Sequence, residues 1–461
     1  MFRLFRHHVP GPLLALGLFE LALLAVAAEA AWHLRVAQIG DDPTGTVTRL
    51  PQLATFALVT WLAMLAVGVY HFRSYRSLRV AAVRLAVAIA LAVMVLALVF
   101  FLLPDVALWR SVSLYAVALS FVLILAGRAL FKRLVGSNRL RRRILVVGAG
   151  ERAARLEQLA QSPHAGFIVT RFVRMTDRPQ AVSCATPRAE IADLVAYVQH
   201  DQVEEVVVAL EERRGSLPVD DLIAVRLAGI PVTELSSFLE AETGRVDLDS
   251  VSPSWLIFSD GFLGAQRLAT IGKRAFDIVA ASTGLLLFSP IILVAGLAVL
   301  LTSPGGAFYR QRRVGQGGRP FQLVKLRSMR SDAEKDGARW AQRNDPRITP
   351  VGRIIRLTRI DEMPQLWCVL KGDMSFVGPR PERPEFVSDL ARAIPYYNER
   401  HVVKPGVTGW AQIKYPYGAS VEDARAKLEY DLYYIKNYSM ALDLFILLQT
   451  VRVVLWQDGS R

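Results

Sequence analysis

Four long apolar stretches fill the first quarter of this 461-residue chain and limit what it can fold into. The stretches are Pro12–Trp32, Leu53–Tyr70, Leu85–Leu103 and Ser111–Gly127. Each is close to the roughly 20 residues that an α-helix needs to cross the hydrocarbon core of a bilayer. The sequence therefore predicts a four-helix transmembrane domain in residues 1–142. The first stretch could instead be a signal peptide, because Arg3 and Arg6 precede it.

Basic residues cluster at particular ends of these stretches. They fill the loop after the second stretch and follow the fourth: Arg73, Arg76, Arg79, Arg84, Arg128, Lys132, Arg133, Arg139 and Arg141–Arg143. Because loops rich in Lys and Arg stay in the cytoplasm, both ends of the domain are placed there. The formal net charge of +14 predicts anionic partners. Because the basic residues lie at predicted membrane boundaries, lipid is a better candidate than nucleic acid. Glu20, inside the first stretch, predicts either a functional carboxylate or a hydrogen-bonded packing group.

The sequence pattern changes in residues 143–260. Short β-branched runs alternate there with polar helical segments: Ile144–Val147, Phe167–Phe172, Val203–Ala209 and the helix-like Val219–Ala228. This alternation is typical of a small α/β domain with a parallel sheet. The first run leads into Gly148-Ala149-Gly150-Glu151-Arg152-Ala153, a G-x-G-x-x-A turn that could aim backbone N–H groups at a phosphate.

Other features leave the role of this domain open. No acidic residue stands at the end of its second strand, where a carboxylate would bind the ribose of a dinucleotide. A structural or regulatory Rossmann-like fold is therefore the alternative to a nucleotide site. The domain has no Tyr-x-x-x-Lys pair, which argues against a sugar-nucleotide dehydratase or epimerase. Asp247-Leu248-Asp249 has the D-x-D spacing of some metal sites, but that spacing also fits a solvated turn.

Phe276–Leu301 is a fifth apolar segment, and basic residues flank it on both sides. The flanking residues are Lys273, Arg274, Arg310, Arg312 and Arg313. Ser289-Pro290 stands at its midpoint, where proline removes a backbone donor and serine can satisfy the freed carbonyl. These features predict a re-entrant membrane helix, residues 276–301, that enters and leaves on the cytoplasmic face. An ordinary kinked transmembrane helix is the alternative.

Residues 261–461 are rich in Arg and Gly and contain the adjacent carboxylates Asp361 and Glu362. Pro364 suits the first turn of a helix that runs to about Leu370, because its missing N–H would have no partner there anyway. The carboxylates would then precede a helix N-terminus, whose dipole lowers a carboxylate pKa. Adjacent residues face different ways, so two roles fit better than one. One carboxylate can attack phosphorus while the other holds a divalent cation.

Several motifs follow one another in order through this region. They are Lys273-Arg274-x-x-Asp277, Ser289-Pro290, Arg313-Val314-Gly315, Phe321-x-x-x-Lys325-x-Arg327-Ser328-Met329, Asp361-Glu362-x-Pro364-Gln365-Leu366-Trp367, Lys371-Gly372-Asp373-Met374-Ser375, Gly378-Pro379-Arg380-Pro381 and Lys404-Pro405-Gly406-Val407-Thr408-Gly409-Trp410-Ala411-Gln412. With them, the chain from Lys273 onward resembles the catalytic domain of the bacterial sugar transferases, the monotopic polyprenyl-phosphate phosphoglycosyltransferases. The order of four helices, a Rossmann-like domain and this catalytic domain is similar to that of the large family members that prime exopolysaccharide or O-antigen synthesis. Residues 415–420 resemble the exosortase-associated branch.

The resemblance implies a reaction and a role for each motif residue. In that family an Asp attacks the sugar-bearing phosphate of a UDP-sugar, UMP leaves, and polyprenyl phosphate takes the phosphosugar. The resemblance makes Asp361 the nucleophile and Glu362 a Mg²⁺ ligand, and it makes Ser289-Pro290 the break of the re-entrant helix. The implied substrate-binding cations are Arg313, Lys325, Arg327, Arg356 and Arg380. Cys368 departs from the family, in which Asn is usual, and leaves this chemistry intact.

The predicted fold class is a membrane protein, α plus α/β, with a four-helix transmembrane bundle, a Rossmann-like domain and a mostly helical catalytic domain. The resemblance implies a multi-pass protein of the bacterial inner membrane whose catalytic domain faces the cytoplasm, with membrane lipid as a partner and homo-oligomers left open. The motifs do not specify the sugar. The runner-up is a non-catalytic membrane scaffold, disfavoured because every charged motif residue is present. The last apolar segment, Leu442–Trp456, fits an interfacial helix or a core helix equally well.

Overall fold

A computed structural model describes most of the chain. The described residues are 2–4, 7–9, 11–40, 46–70, 78–135, 141–162, 165–176, 179–212, 216–249, 267–333, 345–416, 418 and 420–456. Two short strands, β1 (Phe2–Leu4) and β2 (His7–Val9), come first. From His8 onward the chain divides into two compact units, and the boundary in the sequence lies between Gly244 and Arg245. The predicted domain limits 142/143 and 260/261 stay a prediction.

The first unit begins with four long helices that match the four predicted apolar stretches. They are α1 (Gly11–Ile39), α2 (Leu50–Val67), α3 (Leu78–Leu102) and α4 (Arg110–Val135). Helix α1 packs against α2 and α4, and α2 also packs against α3. These four helices and one in the second unit are long and apolar enough to cross a membrane. The prediction of several apolar helices is confirmed, whereas a bilayer-spanning bundle stays a prediction.

A buried ion pair between α1 and α4 accounts for the carboxylate inside the first helix. Glu20 is completely buried and accepts hydrogen bonds from Arg128 Nε at 2.5 Å and Arg128 Nη2 at 3.1 Å. Arg128 also donates to Val69 O at 3.0 Å, and Arg84 donates to Gly68 O at 2.9 Å. Carbonyls at the end of a helix have no partner within it. Arg84 thus caps α2, and Glu20 balances the charge of the arginine that holds the turn after it, which supports the packing role.

The rest of the first unit is an α/β domain with a parallel sheet. Its strands are β3 (Arg142–Val147), β4 (Phe167–Arg174), β5 (Thr186–Pro187), β6 (Glu205–Val208) and β7 (Val232–Glu234), and its helices are α5 (Glu151–Gln161), α6 (Leu194–His200), α7 (Val219–Leu227) and α8 (Leu235–Thr243). The strand order is β5-β4-β3-β6-β7. Strand β3 is buried on both faces, because Ile144 and Val146 join one apolar cluster and Leu145 and Val147 another. The predicted parallel α/β domain is confirmed.

The second unit combines helices with two small sheets. Its elements are α9 (Arg267–Thr302), β8 (Phe308–Val314), β9 (Pro320–Leu326), α10 (Pro350–Leu357), α11 (Gln365–Lys371), β10 (Ser375–Val377), α12 (Pro384–Ala393), β11 (Gly406–Thr408), α13 (Trp410–Lys414), α14 (Val421–Lys436) and α15 (Met440–Trp456). Strands β8 and β9 form an antiparallel hairpin, and β10 pairs with β11 in parallel. Trp410, Tyr433 and Tyr434 are the largest side chains of its core.

Helix α9 contains the fifth apolar segment and packs along the second unit with one face. Ala281 lies in an apolar cluster with Leu366, and beyond Pro290 Val299 joins another cluster with Leu326 of β9. The opposite face is exposed and apolar: Val279, Leu286, Leu293, Val294, Leu297 and Leu301. Both halves of α9 therefore contact the same unit.

Two buried charged side chains fix the first turns of α9. Lys273 pairs with Asp443 of α15 and donates to Val377 O at 3.2 Å. Asp277 accepts hydrogen bonds at 3.1 Å from Ser375 Oγ and from the backbone N–H of the next residue. The Lys-Arg-x-x-Asp motif thus anchors α9 to the sheet edge at β10.

Helix α9 runs through Ser289-Pro290 as one continuous α-helix. Ser289 Oγ donates to Leu286 O at 2.9 Å, so the serine satisfies a carbonyl next to the proline, as the sequence predicted. The predicted break takes the form of a proline within the helix, and the re-entrant path stays a prediction.

Two other segments with open roles are part of the packing. Helix α15 has one buried face, with Leu442 and Ile446 in the core, while Leu444 and Val454 are exposed. Asp249 of the D-x-D sequence forms an ion pair with Arg425. Helix α15 therefore packs on the core through one face, and the ion pair accounts for Asp249 without a metal.

Candidate active site

The two adjacent carboxylates lie in a short turn between two helices. Helix α10 ends before Arg359, whose backbone is left-handed with φ of 61° and so stops the helical winding. A 3₁₀ turn, Ile360–Glu362, follows, and α11 starts at Gln365, directly after Pro364. The helix predicted from Pro364 to about Leu370 is therefore confirmed, as is the place of the carboxylates just before it.

Two cations hold the side chain of Glu362. Lys325 Nζ and Arg380 Nη2 each donate to Glu362 Oε1 at 2.9 Å. Burial opposes ionisation of this carboxyl, but the charges of Lys325, Arg380 and Arg359 outweigh it and hold the pKa of Glu362 well below its usual value. Glu362 is therefore an ionised, positioned carboxylate at neutral pH.

Asp361 has a different environment. Only 8% of its surface is exposed, yet no donor among the described residues hydrogen-bonds its carboxylate. Burial and the adjacent charge of Glu362 raise the pKa of Asp361 to about 6, against the opposing effect of Lys325 and Arg356. The expectation that the helix N-terminus lowers the pKa is wrong for Asp361, because burial and the second carboxylate prevail. The unequal roles predicted for the pair correspond to two unequal environments.

The predicted substrate-binding cations line the same cavity as the two carboxylates, a space of about 1250 Å³ in the second unit. Arg313 is held by Gln311 Oε1 at 2.6 Å and by Pro381 O at 3.0 Å, and Arg327 by Pro304 O at 3.1 Å. The side chain of Arg356 has no hydrogen-bond or ion-pair partner among the described residues and can approach a phosphate. The cavity lining thus includes Asp361, Glu362, Arg313, Lys325, Arg327, Arg356 and Arg380 but neither Ser289 nor Pro290.

Glycines bring the motif of Arg380 and the Lys404–Gln412 motif together. Strand β10 leads to Gly378, whose N–H donates to Thr408 O of β11 at 3.0 Å. A Cβ added at Gly378 or at Gly406 would overlap backbone atoms of the other strand. The carbonyl of Arg380 accepts a hydrogen bond from Arg400 Nη2 at 3.1 Å. This close backbone packing positions the guanidinium that holds Glu362.

Arg359 is a cavity residue that the sequence reasoning missed. It lines the cavity, and its charge helps to lower the pKa of Glu362 and opposes the rise in the pKa of Asp361. The only signal was its place in the motif, two residues before Asp361. Its left-handed backbone, which turns the chain into the 3₁₀ segment, could not be read from the sequence, because arginine rarely adopts it.

The surroundings of Glu362 fit a hard divalent cation. Both Lys325 and Arg380 donate to Oε1, which leaves Oε2 for a metal ion. The described residues contain no group of three or more His, Cys, Asp and Glu side chains that could hold a metal. Mg²⁺ usually binds through one or two carboxylates, water and substrate phosphates. One carboxylate beside a cavity lined by lysine and arginine side chains agrees with that pattern.

Two family models match the chain. The bacterial sugar transferase family matches residues 268–457, and a family described as CoA-binding domain matches residues 65–217. A Xanthomonas campestris pv. campestris protein named UDP-glucose:undecaprenyl-phosphate glucose-1-phosphate transferase is 30% identical over 358 residues, which cover 74% of this chain and 72% of that protein. The chain belongs to the bacterial sugar transferase family.

Other relatives of this sugar transferase carry related names. An Aeromonas hydrophila UDP-N-acetylgalactosamine-undecaprenyl-phosphate N-acetylgalactosaminephosphotransferase is 45% identical over 235 residues, 51% of this chain but only 55% of its own length. An exopolysaccharide production protein of Rhizobium leguminosarum bv. phaseoli is 40% identical over 185 residues, 39% of this chain and 92% of that protein. The predicted enzyme class, a phosphoglycosyltransferase, is confirmed, while the named donor sugars differ between relatives.

Proposed function

We propose that this sugar transferase moves a sugar 1-phosphate from a UDP-sugar to polyprenyl phosphate and releases UMP. The observation that carries the proposal is Asp361, a buried carboxylate without a donor partner, beside Glu362, an ionised carboxylate held by two cations. A carboxylate that no donor engages can attack phosphorus, whereas a carboxylate fixed by cations cannot do so easily. The names of the relatives supply the substrate class.

The reaction follows from these environments in two steps. A carboxylate oxygen of Asp361 attacks the sugar-bearing phosphorus, the bond from that phosphorus to the bridging oxygen breaks, and UMP leaves with the electron pair. An oxygen of polyprenyl phosphate then attacks the same phosphorus, and the Asp361 carboxylate is released. Arg356 and Arg359 line the cavity near Asp361 and would stabilise the phosphate oxygens during both attacks.

Glu362 would hold Mg²⁺ together with the diphosphate of the donor. Bound there, the ion would neutralise charge that develops on the leaving phosphate. Lys325 and Arg380 keep the Glu362 carboxylate ionised and oriented through Oε1, so that Oε2 can face the ion. We infer that this is the first step in assembling an exopolysaccharide or related glycan, since one relative is named for exopolysaccharide production.

The direct test is release of UMP by the full-length protein in detergent with Mg²⁺, polyprenyl phosphate and a panel of UDP-sugars. UDP-glucose and UDP-N-acetylgalactosamine head the panel, because the relatives are named for them. We expect one sugar to give turnover that EDTA abolishes and added Mg²⁺ restores. Failure of every sugar to release UMP, from folded protein with Mg²⁺ present, would overturn the proposed activity.

The rate of UMP release at acidic pH should report the protonation of the Asp361 carboxyl. Because its pKa is raised to about 6, the carboxyl is protonated below that pH and loses its nucleophilic form. The pKa of Glu362 is lowered, so it stays ionised across the same range. We expect the rate of UMP release at saturating substrate to fall about tenfold for each pH unit below about pH 6. A rate that stays constant down to about pH 5 would contradict the raised pKa.

We also propose that α9 is re-entrant and that the catalytic unit faces the cytoplasm of a bacterial inner membrane. The support is that both halves of α9 pack on the second unit while its other face is exposed and apolar. A helix that crosses the bilayer would leave that unit after its first half.

Cysteine accessibility tests this path in a variant whose own Cys184 and Cys368 are replaced by serine. Single cysteines at Ile271, near the start of α9, and at Arg310, just after its end, are both at exposed positions and should react with a membrane-impermeant thiol reagent only after the membrane is opened. The control is a cysteine at Asp105, in the short loop after α3, which should react in intact cells because four crossings with cytoplasmic ends place that loop outside. Labelling of Arg310→Cys but not Ile271→Cys in intact cells would show that α9 crosses the membrane.

A further inference from the structure

The α/β domain of the first unit has a crevice where Rossmann-like folds bind nucleotides. A cavity of about 260 Å³ lies after the carboxyl ends of β3, β4 and β6, and its lining includes Gly148–Gly150, Arg174 and Glu211. Strands β4 and β6 lie on opposite sides of β3, so the order of strands reverses at this point. Open α/β sheets bind ligands at such a point. The family description of the domain also names such a ligand, CoA.

The glycine turn has the geometry of a phosphate-binding turn. Gly148 has φ of 134°, a conformation that other residues rarely adopt, and a Cβ there would lie 2.5 Å from Ala209 O. Helix α5 begins directly after Gly150. In nucleotide-binding relatives of this fold, the diphosphate lies against the second glycine and the first N–H groups of this helix.

A side chain of the protein already occupies that place. The Glu211 carboxylate lies against Gly150 so closely that a Cβ at Gly150 would overlap both of its oxygens. Its Oε1 also accepts a hydrogen bond from the backbone N–H of Arg152 at 3.3 Å. The Arg152 guanidinium donates to Leu210 O at 3.0 Å, which ties the Glu211 segment to α5. A diphosphate would meet an occupied volume and a like charge, so CoA does not fit the turn as it is folded.

We propose that Glu211 is the internal anion of this turn and that it excludes nucleotide phosphates from the domain. A carboxylate at the helix N-terminus satisfies a backbone donor and interacts favourably with the helix dipole, so the turn is stable without a ligand. The fold keeps the shape of a nucleotide site, while its phosphate position is closed from within. The proposal concerns a different unit from the catalytic carboxylates and does not depend on the proposed activity.

The test compares three versions of the full-length protein in detergent, titrated with CoA and with pyrophosphate by calorimetry. Wild type and the control Glu190→Ala, which removes an exposed acid outside the cavity, should show no saturable binding. Glu211→Ala should bind both probes at least about tenfold more tightly than wild type, because the N-terminus of α5 is then open. Glu211→Gln removes only the charge and should also bind both probes more tightly than wild type. It replaces the alanine variant in the comparison if that variant is unstable.

Two results would overturn the proposal. Saturable CoA binding by wild type with an affinity equal to that of Glu211→Ala would show that Glu211 does not exclude the ligand. A lack of gain in both Glu211 variants, with folding confirmed by thermal unfolding, would show that the turn is no anion site. UMP release should be the same in all versions, so failure of this proposal is separate from failure of the proposed activity.

Discussion

Replacing Asp361 by Asn should lower the rate of UMP release by at least about a thousandfold. The amide has nearly the shape of the carboxylate but cannot attack phosphorus, so the first step is lost. Asp361 accepts no hydrogen bond from the described residues, and burial makes its ionised form costly. Because the pKa of Asp361 is raised to about 6 in the folded protein, the cost of ionising it develops as the pH rises from about 4 to about 6 and is fully present above that, so the variant should be at least as stable as wild type near neutral pH.

The proposed covalent intermediate gives a second measurement for the same variant. Wild type incubated with its UDP-sugar and without polyprenyl phosphate should gain the mass of one sugar phosphate, whereas Asp361→Asn should gain none. The matched control is Asp389→Asn, which changes an exposed aspartate of α12 that pairs with Arg392 and lies outside the cavity. Activity near the wild-type level in Asp361→Asn would exclude Asp361 as the nucleophile.

Removing Asp431 should have the largest effect on stability among the ion pairs of the second unit. Asp431 Oδ2 accepts from Arg400 Nη2 at 2.8 Å, and both side chains are almost completely buried. Asp431→Ala leaves the arginine charge buried without its counter-ion, which typically costs about 3–5 kcal/mol. We expect the midpoint of thermal unfolding to fall by roughly 10 °C, since about 1 kcal/mol corresponds to a few degrees in a unit of this size.

The same variant should also lose activity in the fraction that stays folded. Arg400 donates to the carbonyl of Arg380, whose guanidinium holds Glu362. Asp389→Ala serves as the control, because it breaks an exposed ion pair with Arg392 that contributes at most about 1 kcal/mol. Equal unfolding midpoints for the two variants would show that the buried ion pair contributes no more to stability than the exposed one.

Local patterns determined much of this protein. The apolar stretches predicted four long helices, because a helix of about 20 apolar residues has few other places to bury its surface. The β-branched runs predicted a parallel sheet, and Pro364 predicted the start of α11. The motifs around Asp361 and Glu362 identified the family. In each case neighbouring residues along the chain carry the signal.

Only the tertiary structure decided which charged side chains pair with residues far away in the sequence and which are buried. It brings Lys325 and Arg380 to one oxygen of Glu362. It also buries Asp361 beside the Glu362 carboxylate, and these two effects raise the pKa of Asp361 instead of lowering it. It also places Glu211 against a glycine turn that lies about sixty residues earlier in the chain. Burial and pairing depend on groups far apart in sequence, so no local pattern specifies them. The sequence singled out the pair Asp361 and Glu362, and the fold gave the two carboxylates different environments.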